Sequence, residues 1–456
     1  MPQASLEELA ADLRAGTVRA AEIVGEAVAR YEATEDRHHA YKTWAGPRAI
    51  VQAEAVDALL KTGIDLGPLM GLPVSVKDLY GVPGLPVYAG TDADFGEGWQ
   101  RRGPVVDRIL SQTGIVTGKT HTVEFAFGGL GTNPHWGTPV NPWSSRGAER
   151  APGGSSSGAG VSLATGSALA ALGTDTAGSV RIPASFNGQT ALKITHGRWS
   201  LDGIVPLSPS LDTPGILART AADLAFLFAA IDDCAPVAAR DMSGLRIGVI
   251  ENVVWESVEP RIADNTQAAL SQLEAAGARL QPIHLPNANR VLDLFRRGGL
   301  AAPELRGFLD ANYPERIERL DPAVMARVVD ADQISASDYI QRRALLAASG
   351  RSAARVFEDI DLLVSPTVAI SAPLLADLRD PDAYRSANML ALRNTAIVNL
   401  LGWCATTVPT GLDANGIPSG LQIIAPPHQE ERLLAATLGI EAVLGAGPVL
   451  LGPPPI

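Results

Sequence analysis

One lysine and two serines stand in settings that suit covalent chemistry. Lys77 ends the apolar run GLPVSVK, while Ser155 and Ser179 lie in two glycine-rich stretches further along the chain. Burial disfavours an ammonium and lowers its pKa, which lets a lysine act as a base. A serine hydroxyl becomes a nucleophile when a base takes its proton. Taken alone, Lys77 also fits a surface side chain whose charged end reaches solvent.

The stretch GGSSSGAG, which contains Ser155, is too poor in apolar side chains to be stabilised by their burial. Such a run is either a flexible linker or a backbone nest built around a reacting group. The apolar segment GVSLATGSALAALG follows at once and resembles a packed helix. This continuity favours a stretch that is held inside the fold.

Ser179 follows Ala177 and Gly178 in the segment GTDTAGSVRIPAS. Small residues let consecutive backbone N–H groups turn toward one point, which is the geometry of an oxyanion hole. Asp175 and Arg181 flank this turn, and a charge-assisted hydrogen bond between them is predicted to brace it.

A competing interpretation places the nucleophile at Ser156, the centre of the pattern G-S-S-S-G. Asp361 and His428 would then supply the acid and the base of an α/β-hydrolase. A nucleophile elbow must follow a buried strand, whereas the preceding residues NPWSSRGAERAPG are polar and turn-forming. We therefore keep this interpretation only as a distant alternative.

Composition narrows the classes of function. The 456 residues carry a net charge of −12 with no basic stripe, which disfavours a nucleic-acid partner. Two cysteines and seven histidines show no metal-ligand spacing, so we expect neither a metal nor another cofactor. The acidic N-terminus is unlike a signal peptide, and no apolar run approaches the ~18 residues of a membrane span. We expect a cytoplasmic protein without membrane contact.

The elements that must position these residues alternate between strand and helix. Ser5 with Glu8 predicts a capped helix that Gly16 ends, and two further helices are predicted from near Thr17 and over 47–60. Later strands are predicted at LPVSV, GIVTG, LRIGVI, DLLVSP and SGLQIIA. Such alternation predicts an α/β fold around a mixed, largely parallel sheet.

We expect one domain over 1–456. Its predicted parts are a helical segment at 1–62, a catalytic region at 63–220, and a substrate-pocket region with the remaining sheet at 221–456.

These motifs together resemble the amidase signature family. The lysine-bearing segment GPLMGLPVSVKDLYGVPGLPVYAGT, the stretch APGGSSSGAGVSLATG and the later GTDTAGSVRIPAS are similar to the family's landmarks, in the family's order. The later segments SLDTPGILART, DLLVSPTV and VPTGLDANGIPSGLQIIA extend the resemblance over about residues 5 to 445. The fold that it implies is a mixed, twisted central sheet with helices on both faces.

The resemblance also implies roles for single residues. Lys77 corresponds to the catalytic base, Ser155 to a bridging serine in a cis peptide, and Ser179 to the acylated nucleophile. The implied oxyanion hole consists of the backbone N–H groups of Thr176, Ala177, Gly178 and Ser179. The implied substrate loop consists of Ala126, Phe127, Gly128 and Gly129. Ala177 departs from the family, which usually has glycine at this position.

These roles predict an amidase that hydrolyses small neutral aryl or alkyl amides, with carbamates and esters open to the same mechanism. The loop 125–130 offers apolar surface and no charge, and this is the basis for expecting an uncharged substrate. The alternatives are the glutaminase subunit of a tRNA-dependent amidotransferase and a catalytically inactive scaffold. The chain is expected to be a monomer or a homodimer.

Overall fold

The computed structural model describes residues 4–456, and one mixed β-sheet of eleven strands runs through this part of the chain. The strands are β1 Tyr41–Trp44, β2 Pro73–Lys77, β3 Ile115–Thr120, β4 Ala170–Asp175, β5 Thr190–Lys193, β6 Thr213–Ala218, β7 Arg246–Ile250, β8 Arg279–Ile283, β9 Leu362–Pro366, β10 Cys404–Leu412 and β11 Pro418–Ala425. Their spatial order is β1-β3-β2-β4-β6-β5-β10-β11-β9-β7-β8. The predicted α/β class is confirmed.

Helices surround this sheet. They are α1 Leu6–Ala15, α2 Ala20–His38, α3 Gly46–Lys61, α4 Pro104–Ser111, α5 Ser157–Thr165, α6 Arg181–Asn187, α7 Ala221–Asp232, α8 Pro260–Ala275, α9 Ala288–Arg296, α10 Ala301–Asn312, α11 Pro322–Asp330, α12 Ala336–Ala353, α13 Pro381–Leu400, α14 Glu430–Leu444 and α15 Gly447–Leu451. At the N-terminus, Ser5 and Glu8 form the predicted capping box, and Gly16 ends α1 in the left-handed region. Helix α2 begins later than predicted, at Ala20.

The sheet is less parallel than the sequence predicted. Within residues 4–456, six strand pairs are antiparallel and four are parallel. The parallel pairs are β2–β3, β2–β4, β7–β8 and β7–β9. One of the antiparallel pairs has a local cause, because β10 and β11 are joined by a short turn and so pair as a hairpin.

Strand direction brings the predicted catalytic region to one edge of the sheet. The parallel strands β2 and β4 end at Lys77 and Asp175, so these two residues lie at the same edge. Strand β6 runs antiparallel to β4 and begins at Thr213 opposite Asp175, which places the residue before it, Asp212, at this edge as well.

Both glycine-rich stretches lead into helices that start at this edge. Helix α5 begins two residues after Ser155, and α6 begins two residues after Ser179. All of 151–163 is buried, so the Gly/Ser stretch is held inside the fold.

Contrary to expectation, one segment, Glu430–Leu451, is apolar and long enough for a membrane span by length and composition alone. Half of it is buried, and its first helix, α14, packs against β10, β11 and α7. This packing is typical of a core helix.

Candidate active site

Lys77 is fully buried at the end of β2, and its Nζ atom meets two hydroxyls. It donates to Ser155 Oγ at 2.7 Å and to Thr174 Oγ1 at 2.8 Å. Within residues 4–456 it forms no ion pair. Burial lowers the pKa of Lys77 to about 7, while the charges of Asp212 and Asp175 oppose that shift. A lysine in this state exchanges its proton near neutral pH.

The two predicted serines lie on backbone segments that are bonded to each other. The Gly154–Ser155 peptide is cis, as the family resemblance implied. The next residue, Ser156, donates its backbone N–H to the carbonyl oxygen of Ser179 at 3.1 Å. The Ser179 side chain is buried, and among residues 4–456 its hydroxyl has no hydrogen-bond partner. The hydroxyl of Ser155 is therefore bonded to Lys77, and that of Ser179 is free to contact a ligand.

Asp175 and Arg181 hold the turn that carries Ser179. Arg181 donates to both carboxylate oxygens, from Nε at 3.0 Å and from an Nη at 2.9 Å. The same carboxylate accepts the backbone N–H groups of Gly178 at 2.7 Å and Val180 at 3.2 Å. Burial acts to raise the pKa of Asp175, but the Arg181 charge and these bonds overcome it and hold the pKa at about 2.

These contacts change the expected set of oxyanion donors. The Gly178 N–H is directed to Asp175 and is not available, which corrects its place in the predicted set. The N–H groups of Thr176, Ala177 and Ser179 meet no acceptor among the residues that the structure describes. Three of the four predicted donors are therefore unpaired around Ser179.

The predicted substrate loop lies directly beside Ser155. The carbonyl oxygen of Gly129 accepts the N–H of Gly154 at 2.8 Å, which joins the loop to the residue before Ser155. Ala126 is buried with a φ of 58°, Phe127 is partly exposed, and Gly128 has no room for a Cβ against Tyr384.

Helix α13 carries site residues that the sequence analysis missed. Asn388, Leu392, Thr395 and Asn399 share one face of this helix, at the spacing i, i+4, i+7 and i+11. Asn388 Oδ1 accepts the Gly129 N–H at 2.7 Å, and Thr395 Oγ1 donates to the Ala177 carbonyl oxygen at 2.7 Å. Asn399 Nδ2 donates to Asp175 Oδ1 at 2.9 Å. The polar residues within the apolar run MLALRNTAIVNLLG were the available signal for this face.

Asp212, in the segment SLDTPG, was also missed. Its carboxylate accepts the Thr176 hydroxyl at 2.5 Å and the N–H groups of Leu207 and Ser208 at 2.9 Å each. Burial raises the pKa of Asp212 to about 6. A buried aspartate immediately before a buried strand was the available signal.

Two cavities are lined in part by residues of the elements that build the site, one by Asp212 and the other by residues of α13. One of about 420 Å³ has Asp212 in its wall and an otherwise largely apolar lining that includes Trp99, Leu201, Ile204 and Phe308. The other, of about 310 Å³, is lined by Phe295, Met389, Glu256, Arg296 and Arg393, among others. Phe295, which lines this second cavity, packs against the same two hydrophobic clusters as Ala177.

The alternative centred on Ser156 is not supported by the geometry. The Ser156 hydroxyl is buried and donates to the Thr174 carbonyl oxygen at 3.3 Å. Asp361 is surrounded by Arg240, Arg246 and Arg432, and His428 bonds to Thr195 through its backbone. Within residues 4–456, no hydrogen bond joins any two members of the proposed Ser156–Asp361–His428 set.

Among the described residues, one group of three side chains has donor atoms close enough together to hold a metal, namely Asp232, Cys234 and Glu431. Arg198 already binds both carboxylates, at 2.6 Å each. The group is therefore explained as part of an ion-pair network, and we assign no metal to it.

Comparison with known proteins identifies the family. Residues 22–434 match the family model described as Amidase. The chain belongs to the amidase family. The resemblance inferred from the motifs is thereby confirmed, and the protein is a hydrolase of C–N bonds in amides.

Relatives within the amidase family differ in what they act on. The chain is 56% identical over 455 residues to 2-amino-5-chloromuconic acid deaminase of Comamonas testosteroni, with 99% of this chain and 98% of the relative covered. It is 32% identical over 461 residues to one of the subunits of the glutamyl-tRNA(Gln) amidotransferase of Chloroflexus aurantiacus, with 93% of each chain covered.

Solved structures of amidases share the whole fold. A crystal structure described as that of an amidase matches with a TM-score of 0.87 and 28% identity, over 97% of this chain and 100% of the other. The peptide amidase of Stenotrophomonas maltophilia matches with a TM-score of 0.82 and 25% identity, over 99% and 98% of the two chains.

Proposed function

We propose that this amidase works through an acyl-enzyme on Ser179, with Ser155 as the proton relay and Lys77 as the base. The observation that carries the proposal is the 2.7 Å contact between Lys77 Nζ and Ser155 Oγ inside a site where Lys77 has no ion-pair partner among residues 4–456. A buried lysine whose pKa lies near 7 is neutral in a large share of molecules and accepts a proton.

Acylation begins when Lys77 takes the proton of Ser155 and Ser155 takes that of Ser179. Ser179 Oγ then attacks the carbonyl carbon of the substrate. The carbonyl oxygen becomes negative and accepts hydrogen bonds from the free N–H groups of Thr176, Ala177 and Ser179. The proton returns through Ser155 to the leaving nitrogen, the C–N bond breaks, and an ester on Ser179 remains. Formation of the Ser155–Ser179 hydrogen bond is expected when substrate is bound, since such bonds often tighten only in the complex.

Deacylation repeats the relay with water. Water passes one proton through Ser155 to Lys77, and its oxygen attacks the ester carbon. The Ser179 oxygen then leaves and takes that proton back through Ser155. The sum is amide plus water giving carboxylic acid plus amine.

The cavity of about 420 Å³ supports a substrate with a planar or apolar part. Its walls include the Trp99, Ile204 and Phe308 side chains, and Trp99 is held by a 2.6 Å hydrogen bond to the Tyr313 hydroxyl. This lining suits the small aryl or alkyl amides expected from the sequence, and the same steps would hydrolyse a carbamate or an ester.

A second candidate substrate is an unsaturated amino dicarboxylic acid of the 2-aminomuconic type. The supporting observation is the 56% identity to a deaminase of such an acid over nearly the whole of both chains. In the imine form of such a substrate, C=NH plus water gives C=O plus ammonia. Ser179 would add to the imine carbon while its proton passes to the nitrogen, and the relay would supply a further proton so that ammonia leaves. Water would then add to the same carbon and return that proton, and expulsion of Ser179 would leave C=O, so that no ester forms on Ser179 in this case.

A competition assay on the purified chain decides between these substrates. We would compare kcat/KM for an anilide, a simple carbamate, glutamine and a 2-aminomuconic acid, following amine or ammonia release. Preference for the anilide supports the neutral-amide proposal, and preference for the muconic acid supports the deaminase proposal. Glutaminase activity that needs added partner subunits would favour the amidotransferase and contradict both. The cytoplasmic location and the monomeric or dimeric state remain predictions.

A further inference from the structure

Asp212 is a buried carboxylate without a cationic partner among the described residues. It lies immediately before β6, at the edge of the sheet where Lys77 ends β2. Its three hydrogen-bond donors are the neutral Thr176 hydroxyl and two backbone N–H groups, and only 5% of the residue is exposed. No salt bridge within residues 4–456 involves it.

The other charged side chains near Lys77 and Asp212 each differ from Asp212 in their partners or position. Asp175 is bound by Arg181 through both oxygens, so its charge is largely compensated. Glu304 reaches the Asp212 loop through two serines: it accepts the Ser208 hydroxyl at 2.9 Å and the Ser210 backbone N–H at 3.0 Å. Arg101 and Asp202 line the same cavity as Asp212 with opposite charges, and neither forms an ion pair with it. Of the two carboxylates whose charges act on Lys77, Asp212 is therefore the one without an ion-pair partner among the described residues.

We infer that Asp212 is a positioning residue for the amidase reaction: its charge stabilises the Lys77 ammonium that forms during proton transfer, and its bond to Thr176 orients the first oxyanion donor. This inference rests on the proposed roles of Lys77 and Ser179.

The physical reason is a balance of two effects on Lys77. Burial alone favours the neutral amine so strongly that it would be a weak base. An opposite charge nearby favours the ammonium and restores part of its basicity, which is the direction of the Asp212 effect. The Thr176 bond ties this carboxylate to the turn that carries Ser179, so the same group holds Thr176 and its backbone N–H in place.

The test is the pH dependence of Ser179 labelling by a fluorophosphonate, which needs no knowledge of the substrate. In the wild type the labelling rate should rise with pH to a plateau, and the midpoint of this ascending limb is set by the pKa of Lys77. Asp212→Asn should move that limb to lower pH by about one unit and lower the plateau rate, because the neutral amine becomes a weaker base. Thr176→Val keeps the carboxylate and should lower the plateau with the limb unmoved.

Asp212→Glu keeps the charge and serves as the control that separates loss of the charge from a failure to fold. It should label more slowly than wild type, with the limb in place. A limb that stays in place in a folded Asp212→Asn protein, or that moves in Asp212→Glu, would overturn the inference and leave Asp212 a structural residue. Failure of the wild-type protein to label at Ser179 would instead contradict the proposed function.

Discussion

Lys77 Nζ and Ser155 Oγ are 2.7 Å apart at the fully buried edge of the sheet, and no carboxylate contacts the lysine among residues 4–456. A buried lysine normally pairs with an acid, as Lys119 on the neighbouring strand β3 does with Asp78 at 2.8 Å. This contrast between two buried lysines of neighbouring strands is why Lys119 is assigned to a structural ion pair and Lys77 is proposed as the proton acceptor.

The first prediction concerns the charge state of Lys77. Lys77→Arg keeps a positive charge but cannot deprotonate near neutral pH. Hydrolysis should therefore fall by about a thousandfold or more, within the range of contributions of general-base catalysis. The wild-type kcat/KM should rise with pH through a midpoint near 7, since the active form is the neutral amine and burial lowers the pKa of Lys77 to about 7. An active Lys77→Arg enzyme would show that charge alone suffices.

The second prediction concerns which serine is acylated. Peptide mapping after fluorophosphonate treatment should place the adduct on Ser179, whose hydroxyl is unpaired among the described residues. Ser179→Ala should abolish labelling, and Ser156→Ala should retain it, since the Ser156 hydroxyl is already bonded to the Thr174 carbonyl. An adduct on Ser156 would revive the nucleophile-elbow interpretation.

The third prediction is independence from metals. The one candidate cluster in the described part of the chain, at Asp232, Cys234 and Glu431, has both carboxylates bound to Arg198. Prolonged treatment with a chelator should leave kcat/KM within about twofold of the untreated enzyme. Loss of activity that a divalent ion restores would contradict this.

The sequence was sufficient for the fold class and for the residues of the glycine-rich motifs. These features are local: alternation indicates strands and helices, and small residues in a run indicate close backbone approach. The parallel fraction of the sheet was overestimated, because strand direction depends on connections such as the β10–β11 hairpin.

Contacts between distant segments could not be predicted in this way. Thr395 is 218 residues from Ala177, and Asp212 is 36 residues from Thr176, so neither pairing follows from a motif. The Gly178 N–H was misassigned for a related reason. Its acceptor is the Asp175 side chain, whose direction depends on burial of Arg181 against α13 and β11.

The fourth prediction tests the role of α13 in holding the nucleophile turn. Thr395→Val removes the hydroxyl that donates to the Ala177 carbonyl oxygen at 2.7 Å and keeps the shape of the side chain. Loss of one such bond costs about 1 kcal/mol, or roughly fivefold, and we expect this loss in kcat with a smaller change in KM. Thr395→Ser retains the hydroxyl and should keep most of the activity. Equal losses in both variants would assign the effect to packing.

The last prediction concerns the buried pair that supports this turn. Arg181 is fully buried and also donates to the Thr395 carbonyl, Gln422 and Asn399. Its removal therefore takes a donor from several acceptors and leaves the Asp175 charge without a cationic partner. Arg181→Met should lower the free energy of unfolding by about 3–5 kcal/mol, as breaking one side of a buried ion pair does. Denaturant unfolding at pH 7 measures this loss, and a loss below about 1 kcal/mol would contradict it.

The pH dependence of the same pair gives an independent measurement. The pKa of Asp175 is lowered in the folded state to about 2, below the value of about 3.9 in an unfolded chain. The folded state therefore binds fewer protons in this range, and the stability that ionised Asp175 contributes is fully present above about pH 4 and is lost as the pH falls toward 2. The difference in unfolding free energy between wild type and Asp175→Asn should stay constant from pH 8 to pH 5 and shrink only below that range. A difference that already shrinks near pH 6 would mean that Asp175 is not the ionised partner of Arg181.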